Sequence, residues 1–181
     1  MSNRWIYDKV NRLIKKHKTR DPSELIPAMN IKLEYLHDAK HLLGMYTVIQ
    51  RNRFIFISDN VGKNKNTILA HELGHDQLHR DHCKDGAFFQ ENKLFNPTNK
   101  LETQANIFAA HLLISDEDIL NNLGEETCDY ELAAELGVDI NLLNLKISEM
   151  AKMGLLDNRV RVEKPRSDFL KKYRPEEEIY E

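Results

Sequence analysis

Residues 71 to 75 read His71, Glu72, Leu73, Gly74, His75, an HExxH order whose chemistry requires a helix with both imidazoles on one face. Residues four apart on an α-helix lie one turn above each other on the same side, so both rings can be sent toward one metal ion. Zinc suits the pair, because it takes imidazole nitrogen at roughly 2.0–2.1 Å and, in catalytic sites, keeps one position open for water. Glu72, beside the first ligand, is then placed to take the proton of that water as it attacks a carbonyl. The competing reading is a chance match on a helix whose histidines are solvated or satisfied in a core. The surroundings favour the metal. Asn66 and Thr67 are helix-start residues, Ile68 and Leu69 follow as apolar residues, and Ala70, Leu73 and Gly74 are small or apolar, so the segment can pack while presenting its two rings.

A third ligand is needed, and three places offer one. Asp81 occupies the last position of the extended HExxHxxGxxH/D pattern, in which a glycine turns the chain back to the metal. Here Leu78 stands at the turn, so the helix is expected to continue through His79 and carry Asp81 away. His79, His82 and Cys83 have the spacing of a separate small metal site, but a His-rich helix end is better explained by the negative end of the helix dipole. Glu102 precedes Ala105, Phe108, Ala109 and Leu112, which recur at helical spacing, and it falls on their core-facing side. A carboxylate turned inward must be paired or metal-bound, whereas one in a first helical turn is also favoured by the dipole. The residues by themselves leave these two readings of Glu102 open.

Taken together, Thr67 to His75, then Glu102, Gln104, Ala105, Asn106 and the run from Phe108 to Leu113, resemble the ImmA/IrrE family of zinc metallopeptidases. That family has an AHELGH helix followed by a helix reading E-x-x-A-N-x-F-A-A-x-L-L, and residues 70 to 113 match both halves in order. The resemblance implies one zinc ion per chain held by His71, His75 and Glu102, with Glu72 as general base. It also implies a substrate, a helix-turn-helix transcriptional repressor, often of a phage or integrative element, whose cleavage relieves repression. Two residues depart from the pattern: Ser115 stands where a proline commonly ends the second helix, and His111 where an acidic residue is frequent. An oxyanion or substrate contact is usual in such chemistry, and His79, His111 and Tyr46 are the candidates.

The rest of the chain fits an enzyme of this size. With 181 residues, 41% of them hydrophobic, one principal domain with a real core is expected. A net charge of −3 argues against broad attraction to nucleic acid or membrane. Cys83 and Cys128 are too few for a disulfide framework, which fits a reducing cytosol. The amino terminus has no apolar core of a secretory signal and no run approaches membrane-spanning length, so a cytoplasmic protein is expected.

Trp5, Ile6, Val10, Leu13 and Ile14 are spaced as the buried stripe of an opening helix, and Asp21 with Pro22 starts a second, short one. Three β-like segments follow at Ile31 to Leu36, Leu42 to Gln50 and Arg53 to Ser58, the last two reading as a hairpin about Arg51 and Asn52. A small sheet ahead of a metal-binding helix is the zincin layout, so the fold class is α+β and zincin-like. An exposed sheet edge near Arg53 to Ser58 is expected to grip an extended peptide by strand addition. The stretch after His79 to Lys100, with Phe88, Phe89 and Phe95, reads as a lid or a surface excursion.

Residues 1 to 125 are read as the peptidase domain, 126 to 162 as a helix-turn-helix-like element, and 163 to 181 as a charged, flexible tail. The second helix of that element has little besides Asn141, Asn144 and Lys146 for contacting bases, which favours packing or substrate docking over DNA binding. The rivals to a protease are a non-proteolytic anti-repressor and a DNA-binding regulator with a structural metal.

Overall fold

The computed structural model describes residues 3–37, 39, 42–83, 100–122 and 129–156. Of the stretch after His79 to Lys100 read as a lid or surface excursion, residues 84–99 lie outside those residues, as do Cys128 and the charged tail from Glu163 onward. Helix α1 spans Arg4–His17 and buries Ile6, Val10 and Leu13. Trp5, expected in the same stripe, is 46% exposed. At helical spacing it stands above Lys9, Arg12 and Lys16, on the solvated basic side. Helix α2, Pro22–Ala28, starts where the sequence places it: Pro22 fills the first turn and the Asp21 carboxylate accepts from the Ser23 amide at 2.8 Å.

The sheet is three-stranded and mixed, ordered β1-β3-β2. β1, Ile31–Leu36, runs parallel to β3, Asn52–Ser58, and β2, Gly44–Ile49, runs antiparallel to it. Ile49 faces Asn52 across the hairpin, so its loop is Gln50 and Arg51, both at positive φ (49° and 65°). That is a two-residue turn of the type twisted strands prefer, built without glycine or asparagine. The expected free edge near Arg53 to Ser58 is therefore a correction: β3 is the central strand, paired on both sides. Among the described residues, the open edges belong to β1 and β2.

A 3-10 turn, Asp59–Asn64, leads into α3, Lys65–His79. Every residue from Thr67 to Asp76 on α3 is buried, because the helix lies between the sheet on one side and α4, Lys100–Leu113, on the other. A helix apolar or buried all round is a core helix. As the absence of glycine at residue 78 predicts, α3 continues to His79 before a 3-10 turn, Arg80–Cys83, which leaves Asp81 exposed.

Ser115 has a local reason to replace a helix-ending proline. Its hydroxyl accepts from the Asp118 amide at 3.0 Å while the Asp118 carboxylate takes the Ser115 amide at 3.2 Å, a reciprocal cap for α5, Asp116–Asn122. Helices α6, Asp129–Glu135, and α7, Ile140–Lys152, follow, joined through Gly137 at φ 64°. α7 packs on α4 and buries Asn144, Lys146 and Glu149 along with its apolar residues. Two of the three side chains considered for base contact thus face the protein interior. No helix among the described residues is long and apolar enough to cross a membrane. The architecture is α+β and zincin-like: a small mixed sheet over a pair of buried helices, α3 and α4.

Candidate metal centre

Three side chains from two helices converge in the core. His71 Nε2 lies 3.2 Å from Glu102 Oε2, His75 Nε2 lies 3.4 Å from Glu102 Oε1, and the two Nε2 atoms are 3.1 Å apart. All three residues are at least 96% buried. Among the described residues, this is the group of His, Cys, Asp and Glu donors placed to hold a metal, its ligand atoms within 4.8 Å of one another. The His71–His75 pair follows from helical spacing, and Glu102 reaches it because α4 packs directly on α3.

The outer contacts of the two rings suit a group that holds a cation. His71 Nδ1 lies 2.8 Å from the Asn106 side-chain oxygen, an acceptor, so the ring proton sits on Nδ1 and Nε2 carries a lone pair. The His75 Nδ1 is turned the same way, 3.1 Å from His79 Nδ1. Both Glu102 oxygens are buried and face the two imidazole Nε2 atoms, at 3.2 and 3.4 Å. Two lone pairs and a carboxylate aimed at one point are a donor set in need of a positive charge. In the metal-free chain protons take that role. Burial opposes ionisation of Glu102, but hydrogen bonds from His71 and His75 outweigh it and bring its carboxyl down to about 2. Burial pushes His75 down to about 4, whereas at His71 the same burial is outweighed by Glu102 and Glu72, so its imidazole is raised.

Two glycines set the approach of the elements. A Cβ on Gly74 would stand 3.1 Å from the Ala105 Cα and carbonyl oxygen, so this residue lets α4 close on α3 between the ligands. A Cβ on Gly44 would meet Ile68 Cγ2 at 2.6 Å and Glu72 Oε1 at 3.0 Å, so β2 passes directly over Glu72. Farther along the helix, the fully buried Asp76 carboxylate takes Arg53 at 3.1 Å and Arg80 at 3.0 Å, tying α3 to the central strand. Arg53 also donates to the Met29 carbonyl beyond α2.

The remaining sequence candidates have other neighbours. His79 is buried behind His75 and faces Gln104 Oε1 at 3.0 Å; burial lowers its pKa. The buried Tyr46 hydroxyl lies toward Asp76 and Arg80, and burial together with the Asp76 charge raises its pKa. His111 sits nine residues beyond Glu102, about 13 Å farther along α4. There its Nδ1 lies 3.3 Å from the buried Lys146 Nζ, which pairs with Asp116 at 2.5 Å, and the Tyr7 ring packs edge-on at 5.2 Å. None of these three is brought into the His71, His75 and Glu102 group. Cys83 is buried, and burial pushes its thiol up to about 11. The sequence reading missed the orienting roles of Asn106 and Gln104. The available signal was their spacing from Glu102 on one helix, four and two residues on.

Fold and donor set together define a zincin-like protein with a candidate metal centre. The chain belongs to the peptidase M78 family, whose IrrE N-terminal-like domain matches residues 26–148, a metallopeptidase family. It is also similar to a protein of Bacillus phage phi105 named "Uncharacterized immunity region protein 2". The two are 36% identical over 143 residues, covering 78% of this chain and 89% of the phage protein.

Proposed function

We propose that this chain is a zinc-dependent endopeptidase that cleaves a helix-turn-helix repressor of a phage or integrative element and so relieves repression in the cytoplasm. The observation that carries the reading is the convergence of three buried donors next to Glu72. His71, His75 and Glu102 would hold the zinc, which supplies a Lewis acid that polarises a carbonyl and acidifies water. Glu72, adjacent to His71 and beneath Gly44, receives the proton of the attacking water and returns it to the leaving amine. β2 runs over Glu72 and has an open edge among the described residues, so it is the strand that aligns an extended peptide. Supporting the substrate are the family and the immunity-region relative. We assign residues 126 to 162 to packing or substrate docking, since Asn144 and Lys146 are buried rather than presented to a groove.

The test is wild type and Glu72→Gln against a purified helix-turn-helix repressor of the phage or integrative-element class. The wild type is expected to release two fragments by intact mass, and the variant none while keeping its zinc. Fragments from the variant would remove Glu72 from its role. A tight complex without fragments, the same for both proteins, would favour the non-proteolytic anti-repressor.

A further inference from the structure

His79 stands one turn beyond His75 on α3, buried, with its Nδ1 3.1 Å from His75 Nδ1 and its Nε2 3.0 Å from Gln104 Oε1. For two neutral rings with His75 Nε2 committed to a metal, one arrangement of protons satisfies both contacts. With His75 Nε2 turned to a metal, the ring proton of His75 is on Nδ1 and must be received by a lone pair on His79 Nδ1. His79 then carries its own proton on Nε2, which the Gln104 oxygen accepts. A proton on both Nδ1 atoms would set two N–H groups against each other at 3.1 Å.

We propose that His79 is a positioning residue for the metal centre: it receives the His75 Nδ1–H, donates its Nε2–H to Gln104, and thereby fixes the ring plane and tautomer of His75. The inference rests on the reading of His71, His75 and Glu102 as metal ligands. His71 is held in a parallel but shorter way, directly by Asn106 at 2.8 Å. Helix α4 thus supplies Glu102, Gln104 and Asn106, a ligand and the outer support of both imidazoles, within five residues. The acceptors behind both rings are neutral, so Glu102 is the charged group among these donors and supports. A metal-ligating imidazole whose outer nitrogen loses its partner gains rotational freedom and loses basicity, which weakens metal binding about 10–100-fold.

The experiment reads zinc affinity by competition with a chromophoric chelator, and the visible bands of the cobalt-substituted protein, on the full chain. His79→Leu is expected to weaken zinc about 10–100-fold and shift the cobalt bands. His79→Asn, whose amide oxygen stands near the place of Nδ1, is expected to stay within about threefold, the loss of one neutral hydrogen bond. Gln104→Leu should weaken binding in the wild-type background and have no further effect in His79→Leu, because it acts through His79. The thermal midpoint of the metal-free variants separates a folding defect from a metal defect. Wild-type affinity in His79→Leu, or equal effects of Gln104→Leu in both backgrounds, would overturn the proposal. A wild type that binds zinc but cuts no repressor would end the protease reading while leaving these affinity comparisons intact. A wild type that binds no zinc would end both.

Discussion

Acid should unfold this protein partly through one histidine far from the metal centre. His111 is 98% buried, with Lys146 Nζ 3.3 Å from its Nδ1, and burial first, then the lysine charge, bring its pKa down to about 3. In the unfolded chain the same imidazole titrates near 6.5. Between those values the unfolded state binds the extra proton, so stability is fully present above about pH 6.5 and is lost as pH falls toward 3. The slope for one such proton is about 1.4 kcal/mol per pH unit, and the whole interval corresponds to about 5 kcal/mol, a large share of a domain's net stability. Urea unfolding of metal-free wild type and His111→Leu at pH 7, 6 and 5 isolates this group from the carboxylates. The stability of wild type relative to the variant should fall by about 2 kcal/mol between pH 7 and 5. A difference that stays flat with pH, or an NMR titration of His111 near 6.5, would refute the argument.

Gly74→Ala places a methyl 3.1 Å from the Ala105 backbone and should lower stability by about 1–3 kcal/mol, seen in urea unfolding, while weakening zinc by separating α3 from α4. Asp76→Ala leaves Arg53 facing an emptied pocket and should reduce stability by about 3 kcal/mol; Arg80, 45% exposed, adds little. If an extended peptide lies along β2, the cut in the repressor should fall in a linker or frayed end, since a folded helix cannot lend its backbone to strand addition. Fragment masses that place it inside a stable helix would remove the edge-binding argument.

Glu102 as a donor rests on the family resemblance, whereas the helical placement of His71 and His75, the α2 cap and the three strands were legible because each rests on local spacing: four residues on a helix, two on a strand, Asp before Pro at a helix start. Strand order was not. A hairpin shows that β2 and β3 are neighbours but does not say on which side β1 joins, and the parallel pairing of Ile31 with Arg53 is a long-range choice. Buried charges were the other blind spot. From sequence Lys146 is weighed as a base contact, yet it reaches Asp116, and Glu149 accepts from Asn3 at 3.0 Å, partners 30 and 146 residues away. Likewise, the outer supports of His71 and His75 depend on how two helices meet, which periodicity in either helix alone does not reveal.

The central claim is the donor set, and metal stoichiometry tests it most directly. Elemental analysis of the purified wild type should find one zinc per chain. Asp81→Ala, altered at an exposed residue on the 3-10 turn, should keep it, and Glu102→Ala, which removes a buried donor, should lose most of it. Zinc retained in Glu102→Ala and lost in Asp81→Ala would contradict the site built here.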